Sequence, residues 1–414
     1  MRNLWWDGFF AESSEVIWLQ YFTLYALALG AGTSLIGVLA AVGSLLAALS
    51  MWPGAFFAEK TKQYKFIVLL TGGGLGRLAF LILVAIPWIG TGSIALALVF
   101  LVATLRGFFG SVAMPAWNAF AGQFVPVQLR GRYFASRNFA RQAAGLAVAP
   151  LVGFAIYRIG SLEGWQVAWL MAFVMGMGAS GFFLRIPREA GMPLRESKPE
   201  SPDQAASALR DRNFLWFVAA SGFFHLSVML AGPFFSVYLV KELGASMLWV
   251  GITAAAMPLA GMITQPVLGK LNDQLGAKWL LVASGLTIPI LPWFWIIAAE
   301  PWHIVFLNLV AGALWSANLL GTFNLVLTLA PPQKRPSYSG LHQGMVFFAS
   351  FLGPLAGGFL IGVVGFQTIF FLSGAGRLVA TIVLWRSVSD KVPTGVRGEE
   401  PRPQTAPAWA GTAR

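Results

Sequence analysis

Long apolar stretches of about 20 residues recur along the whole chain, separated by short polar segments. A helix of about 20 residues spans about 30 Å, the thickness of the hydrocarbon layer of a bilayer. The pattern therefore predicts an all-α integral membrane protein with twelve transmembrane helices. The predicted spans are residues 10–30, 33–58, 66–88, 94–125, 138–160, 164–186, 213–240, 246–269, 279–299, 302–330, 337–364 and 366–386.

Composition supports this prediction. The 414 residues are 57% hydrophobic and 11% charged, which is more apolar surface than a soluble chain of this size can bury. The net charge of +12 is spread over the polar loops, so no nucleic-acid partner is predicted and the lipid bilayer is the expected environment. Without cysteine and with three histidines, the chain predicts neither a metal site nor a cofactor.

The lysines and arginines fix an expected orientation. If the N-terminus lies inside, nearly all of them fall on inside segments, and only Arg158 and Lys241 fall on outside loops. Positive charge accumulates on the cytoplasmic side of membrane proteins. We therefore expect a multi-pass protein of the cell (inner or plasma) membrane with both termini in the cytoplasm.

The chain divides into two halves. The longest polar interruption, residues 187–212, is rich in proline and charge and separates spans six and seven. The predicted domains are a six-helix bundle over 1–186, a cytoplasmic linker over 187–212, a second six-helix bundle over 213–386 and a disordered tail over 387–414.

Three pairs of similar segments occur in the same order in both halves. Pro126-Val127-Gln128-Leu129-Arg130 matches Pro331-Pro332-Gln333-Lys334-Arg335, and Ala149-Pro150-Leu151-Val152-Gly153 matches Gly353-Pro354-Leu355-Ala356-Gly357-Gly358. The third pair consists of the polar loops at 54–65 and 269–278. A duplicated six-helix unit is typical of secondary transporters that alternate around a central site.

The second of these loops, Gly269-Lys270-Leu271-Asn272-Asp273-Gln274-Leu275-Gly276-Ala277-Lys278, has the form Gly-x-x-x-Asp-x-x-Gly-x-Lys. It resembles the signature of the major facilitator superfamily between spans two and three of a half. In the first-half copy, Glu59 replaces the Asp and Lys62 replaces the second Gly. Arg106-Gly107-Phe108-Phe109-Gly110 resembles the span-four pattern Arg-x-x-x-Gly of the same family.

Gly353-Pro354-x-x-Gly357-Gly358 resembles a motif associated with antiporters of this family. That motif belongs to span five, where this chain has Ala149-Pro150, and here the complete copy lies in span eleven. The resemblance therefore leaves symport and antiport open. The expected helix-packing hinge comprises Pro150, Gly153, Gly353, Pro354, Gly357 and Gly358.

The two loops are candidates for a cytoplasmic gate made of Gly54, Glu59, Lys60, Gly269, Asp273, Gly276 and Lys278. Acidic and basic side chains at helix junctions can form pairs that break when the halves move apart. The alternative is that these are solvated charges that only set the topology.

Charged residues inside spans are expensive to bury and are functional candidates by default. They are Glu12, Glu15, Arg77, Arg106 and Arg377. Glu12 and Glu15 share one helix face because they are three residues apart. Glu15 is the expected proton carrier, with Arg106 or substrate competing for its carboxylate. Arg77 follows four glycines, so a packing role with hydrogen bonds to carbonyls is equally open for it.

Three further residues are candidates for contact with substrate. Trp315 and Asn318 are three apart in span ten and are expected to line a cavity, while inter-helix hydrogen bonding is the alternative. His225 in span seven is a candidate pH-sensitive group or a packing residue.

The sequence thus predicts a secondary transporter of a small solute, coupled to protons and acting as a monomer. The excess of basic side chains in the spans suggests an anionic or polar solute held by Arg106. The alternatives are a multidrug efflux pump for hydrophobic compounds and a transporter-fold lipid scramblase or sensor. An enzyme is not expected, because no cluster of nucleophile, base and acid is visible. Substrate identity and the direction of transport stay open.

Overall fold

The computed structural model describes residues 1–126, 129–187, 208–331 and 334–390. Within these ranges the regular structure is entirely helical. Most of the predicted linker and most of the predicted tail lie outside the described residues. The helices are α1 (Arg2–Ala28), α2 (Thr33–Thr61), α3 (Tyr64–Ile89), α4 (Ser93–Phe124), α5 (Arg130–Ile159), α6 (Ser161–Leu184), α7 (Arg212–Lys241), α8 (Met247–Leu275), α9 (Ala277–Ile297), α10 (Pro301–Leu329), α11 (335–364) and α12 (366–387).

In the described part of the chain, ten helical segments are long and apolar enough to cross a membrane. The last of them, Ser337–Ser387, is divided at Gly365, whose φ of 78° is non-helical, and so supplies α11 and α12. Together with α1, which is too polar to qualify by composition, these segments give the predicted twelve.

Two predicted helix starts are wrong. Helix α1 begins at Arg2 rather than residue 10, and α5 begins at Arg130 rather than residue 138. Both added segments carry charges, which made them look like loops. They are helical because their charged side chains pair with each other, as described below.

Helix ends follow local rules. Asp211 caps α7 by accepting a hydrogen bond of 3.0 Å from the backbone N–H of Phe214. Before α10, Glu300 and His303 form a reciprocal capping box, with Pro301 in the first turn. Helix α3 contains a π turn over Thr71–Leu75, which includes Gly72, Gly73 and Gly74. A π turn inserts one extra residue into the helix.

The two halves meet at one end of the bundle. We call the end with the α2–α3 turn at Lys62 and the α8–α9 turn at Gly276 the basic end. At the opposite end, Gly37 of α2 packs against the backbone of Pro354 and Gly358 in α11. There, too, Gly251 of α8 packs against Ala149 and Pro150 of α5. A side chain at these glycines would collide with backbone atoms, so the halves approach closely only because side chains are absent.

The apolar core has the same asymmetry. One continuous cluster of buried residues at the opposite end includes Tyr25 and Leu83 from the first half and Phe234 and Ile304 from the second. At the basic end the core is split: Phe217 and Leu325 belong to a second-half cluster, and Phe120 and Phe183 to a first-half one. The halves are therefore joined at the opposite end and separated at the basic end.

Candidate functional site

Charged side chains from four helices of the first half converge near the basic end. Helix α1 contributes three carboxylates, and α3, α4 and α5 contribute four guanidinium groups. They all line one cavity of about 310 Å³. The charged residues of this cavity are Asp7, Glu12, Glu15, Arg77, Arg106, Arg137 and Arg141.

Glu15 and Arg106 form the first ion pair. Arg106 Nη2 donates to Glu15 Oε2 at 2.7 Å, and Arg106 Nη1 donates to the Gly76 carbonyl at 3.2 Å. The guanidinium carbon lies 4.7 Å from the Trp18 ring centroid and 4.2 Å from that of Phe80. Aromatic faces stabilise a cation. Arg106 is thus held by a carboxylate, a carbonyl and two rings, while the Glu15 side chain is 46% exposed.

Arg77 has no such carboxylate partner. Its Nη1 donates to Ser180 Oγ on α6, which in turn donates to the Gly73 carbonyl at 2.6 Å. Gly176 leaves the space that the Arg77 side chain occupies, since a Cβ there would lie 2.8 Å from Arg77 Cδ. Among the described residues Arg77 takes part in no ion pair, although it lines the same cavity as three carboxylates.

Two further ion pairs join α1 to α5. Arg137 Nη2 donates to Asp7 Oδ2 at 3.1 Å, and both side chains are buried. Arg137 Nε also donates to the Leu4 carbonyl at 3.1 Å. One and a half turns further along α1, Arg141 Nε donates to Glu12 Oε2 at 2.7 Å.

Three of these residues, Asp7, Arg137 and Arg141, are not predicted as site residues from the sequence, because the two arginines resemble the basic charges of a cytoplasmic loop. The spacing of the repeat carries a usable signal. Tyr133 and Arg137 stand 205 residues before Tyr338 and His342, the offset at which Arg130 matches Arg335. Tyr133 donates to the Met1 carbonyl and Tyr338 to Asp211, each at the start of the first helix of its half.

The second half replaces the charges of this region with aromatic and neutral polar groups. His342 stacks on Phe217 with ring centroids 5.2 Å apart, where the first half has the Arg137–Asp7 pair. A cavity of about 350 Å³ lies beside them, and His225, Trp315, Asn318 and His342 line it. The structure thus brings three predicted candidates, His225, Trp315 and Asn318, into one cavity.

Arg377 lines neither of these two cavities. Its side chain in α12 is buried, and Nη2 donates to Ser373 Oγ at 2.9 Å. Ser373 Oγ donates to the Ser227 carbonyl of α7 at 2.6 Å, so this chain of contacts ties α12 to α7. Arg377 Nε has no hydrogen-bond partner in the described structure.

The predicted gate residues lie at the separated basic end. Glu59, Lys60 and Asp273 are exposed, and none of them forms an ion pair with another described residue. Gly54 packs on the Val112 backbone of α4 within its own half, whereas Gly269 has open space around it. Lys278 is the second residue of α9, which begins at Ala277 directly after Gly276.

The two loops share a positive φ at corresponding positions, although their backbone conformations differ. Gly276 has φ of 88°, and Lys62, which replaces glycine in the first-half copy, has φ of 55°. Lys62, with ψ of 14°, has the left-handed helical conformation, whereas Gly276, with ψ of 158°, has an extended conformation at positive φ. Glycine adopts both without steric cost, and lysine does not. A positive φ is therefore retained in the first-half loop, where glycine is lost, but the turn itself is different.

The predicted hinge residues are packing positions. Gly353 and Gly357 of α11 lie against α7, where a Cβ would meet the carbonyls of Leu226 and Leu230. Gly358 faces Thr33 and Gly37 of α2, and Gly153 faces Met247 of α8. Pro150 and Pro354 lie inside their helices at the same contacts. Four of these six residues thus stand where the halves meet.

Comparison with known proteins identifies similar sequences and folds. Residues 218–412 match the sequence model of the Major Facilitator Superfamily. The staphyloferrin B transporter of Staphylococcus aureus is 26% identical over 200 residues, which are 44% of this chain and 46% of that protein. The multidrug resistance protein MdtG of Proteus mirabilis is 29% identical over 181 residues, 42% of this chain and 43% of that protein. This chain thus spans less than half the length of these relatives.

The fold similarity extends over both halves. The crystal structure of the nucleoside transporter NupG superposes with a TM-score of 0.73 at 13% sequence identity, covering 92% of this chain and 97% of that one. The sequence match covers mainly the second half, and the fold match covers the first half as well. The family match over residues 218–412 and the similarity to these relatives support the identification of the chain as a transporter of the major facilitator superfamily, in agreement with the signature-like loop at Gly269–Lys278.

Proposed function

We propose that this protein is a secondary transporter that moves a small anionic solute across the cell membrane by alternating access. The single observation that supports an anionic solute is the environment of Arg77. This residue lines the first-half cavity without a carboxylate partner among the described residues, while the other three arginines there are paired. An oxyanion entering the cavity meets a guanidinium group whose charge no ion pair neutralises.

The packing of the halves supports alternating access. Contact at the opposite end and separation at the basic end correspond to one of the two states that such a mechanism needs. With the orientation expected from the lysines and arginines, the separated end faces the cytoplasm. In the other state the loops at Glu59 and Asp273 approach each other, and the glycine contacts of α2 with α11 open.

Glu15 supports proton coupling. Its carboxylate is half exposed, faces the cavity and is held by Arg106 at 2.7 Å. Protonation of Glu15 weakens that pair and raises the positive charge of the cavity, which favours binding of an anion. Proton movement and solute binding are then coupled through one pair of side chains. The transporter acts as a monomer, with its two halves joined by residues 187–212.

Flux into proteoliposomes tests this proposal. A panel of small carboxylates and phosphates is screened first by thermal shift, since a ligand that binds the folded state raises the unfolding temperature. For a solute that binds, Arg77→Gln is expected to lower gradient-dependent flux at least tenfold. Arg158→Gln, which removes an arginine from the last turn of α5 at the opposite end, is the matched control. Equal flux in both variants contradicts the role of Arg77.

Efflux of hydrophobic compounds is the second candidate function. The second-half cavity favours it, because Phe224, Trp315, Leu281 and Val346 give it apolar walls and it contains no charged side chain. If this function is the right one, transport of a hydrophobic dye tolerates Arg106→Ala and is lost with Trp315→Ala. Lipid flipping without gradient-dependent flux in the same vesicles would instead indicate a scramblase.

A further inference from the structure

We propose that the transported solute is an amphipathic organic anion, with an oxyanion head at Arg77 and an apolar body in a second cavity beyond the Glu15–Arg106 pair. This inference rests on the proposed transport function. It goes further by assigning the solute a second, apolar part and a place where that part binds.

The second cavity lies between the halves and has a volume of about 520 Å³. Helices α1, α2 and α4 of the first half and α11 of the second surround it. Its apolar wall is made of large side chains, namely Trp18, Leu19, Phe22, Ile36, Leu39 and Phe347. Trp18 stacks on Phe22 with ring centroids 3.8 Å apart, which gives this wall a rigid aromatic surface.

The two cavities adjoin each other. Glu15, Arg106 and Gly110 line both of them. A Cβ on Gly110 would have no neighbour within 4 Å, so this residue leaves an opening in the wall rather than filling it. A solute whose head lies in the first cavity therefore has room to extend past Arg106 into the second.

The charged side chains of the two cavities determine which end of the solute binds in which cavity. Arg106 is already bonded to Glu15 and to the Gly76 carbonyl and lies between two aromatic rings. Among the described residues, Arg77 donates only to the Ser180 hydroxyl oxygen, Oγ, and so is the better site for an oxyanion. In the second cavity, Glu15 and Arg106 are the only charged side chains, and they are paired with each other. Its remaining wall consists of apolar side chains together with the hydroxyl groups of Thr23, Ser44, Ser111 and Ser350, and therefore suits an uncharged, mainly apolar group.

The dependence of affinity on the length of the solute's alkyl chain distinguishes a site for an amphipathic anion from a site for a small anion. Burial of one methylene group strengthens binding about fourfold. If the apolar body enters the second cavity, affinity rises with each added carbon until the cavity is full. If the solute is only a small anion, affinity does not depend on the chain.

The experiment uses n-alkyl phosphates of two to eight carbons. Their binding to the full chain in lipid nanodiscs is measured by equilibrium dialysis, with protein-free nanodiscs subtracted to remove partition into lipid. We expect affinity to rise about threefold to fourfold per methylene and then to level off. Arg77→Gln is expected to weaken every member of the series by a similar factor.

Ala40 lines the second cavity and provides the decisive variant. Ala40→Phe fills part of that space and should flatten the dependence on chain length while leaving ethyl phosphate binding intact. Leu49→Phe, at a residue 62% exposed on the same helix, is the matched control and should leave the series unchanged. An octyl phosphate that binds no more tightly than ethyl phosphate overturns the inference, as does an unchanged slope in Ala40→Phe.

The two proposals fail in different ways. If binding depends on Arg77 but not on chain length, the proposal of an anion transporter is supported and the proposal of an amphipathic solute is contradicted. Absence of any saturable binding together with absence of flux contradicts the transporter itself. A second experiment uses lysophosphatidate in the nanodisc bilayer, a lipid that also combines a phosphate head with an alkyl chain. If it displaces octyl phosphate, the amphipathic site is supported and its solute can come from the membrane.

Discussion

Glu15 of α1 and Arg106 of α4 are joined at 2.7 Å at the boundary between the first-half cavity and the cavity between the halves. Any solute that occupies both spaces passes this pair. The carboxylate is half exposed, whereas the arginine is largely enclosed by Trp18 and Phe80. Of the two, Glu15 is therefore the group that water and protons reach.

Glu15→Gln retains the shape of the side chain and removes its charge. We expect it to abolish accumulation driven by a pH gradient while sparing counterflow, which needs solute exchange but no net proton movement. Proteoliposomes with and without an imposed gradient measure both activities. Glu163→Gln, in the first turn of α6 at the opposite end, is the control. Uphill accumulation by Glu15→Gln would contradict the assignment.

The buried Asp7–Arg137 pair makes a prediction about stability. Removal of one partner from a buried pair leaves an uncompensated charge and costs about 3–5 kcal/mol. Asp7→Asn and Arg137→Gln should therefore each lower the Tm of the purified protein. The second half has Phe217 and His342 in the corresponding contact, so the double variant Asp7→Phe with Arg137→His should recover much of the loss. A double variant as unstable as the sum of the singles would show that the two contacts are not equivalent.

The contact of Gly358 with Thr33 and Gly37 predicts how the conformational equilibrium can be shifted. Gly358→Leu should force α11 away from α2 and favour opening at the opposite end. Because the chain has no cysteine, Ser34→Cys introduces a unique thiol at this contact. We expect a membrane-impermeant maleimide to label it several times faster in the Gly358→Leu background.

Gly362 provides the control for that experiment. It lies one turn further along α11, is exposed, and has no neighbour within 4 Å of a Cβ position. Gly362→Leu should leave the labelling rate of the Ser34→Cys thiol unchanged. Equal acceleration by the two leucines would mean that the glycine contact does not hold this end closed.

Lys62 predicts a gain in stability. Its φ of 55° costs a non-glycine residue about 1 kcal/mol, so Lys62→Gly should raise the free energy of unfolding by about that amount. Gly276→Ala should lower it by about 1–3 kcal/mol, since φ of 88° with ψ of 158° is a conformation that is nearly confined to glycine. Thermal unfolding in detergent measures both. A destabilised Lys62→Gly variant would indicate that the lysine side chain contributes more than the turn costs.

A substitution at Asp273 tests the predicted cytoplasmic gate. Asp273 has no ion-pair partner in the described structure, and at the separated basic end it faces none. If it finds a partner only when that end closes, Asp273→Lys should slow transport more than it lowers the amount of protein in the membrane. Flux normalised to surface abundance distinguishes the two effects, and equal losses would favour a purely topological role.

Much of the fold follows from the sequence, because runs of apolar residues report directly on membrane spans. The same runs identify candidates for the functional site, because a charged residue that interrupts an apolar run stands out in the sequence. These candidates include Glu12, Glu15, Arg77 and Arg106. The structure adds that Glu12 and Glu15, although on one face, have different partners, Arg141 and Arg106.

The sequence could not predict the roles of Arg137 and Arg141. A basic segment at the end of a span has the same composition whether it is a loop or a helix whose arginines meet carboxylates from α1. The distinction depends on a contact between residues about 130 positions apart. The repeat offset aligns Arg137 with His342 in the sequence, but their different contacts, with Asp7 and with Phe217, are defined only in the folded chain.

The π turn at Thr71–Leu75 has an evolutionary consequence. One additional residue rotates everything that follows it in α3 by roughly 100° about the helix axis. Arg77 comes two residues after this turn, so its direction depends on that insertion as well as on the identity of the residue. Loss or gain of a single glycine codon in the run Gly72–Gly74 would redirect the guanidinium group without any substitution at position 77. Solute preference in this chain can therefore diverge through changes in length as readily as through point mutation.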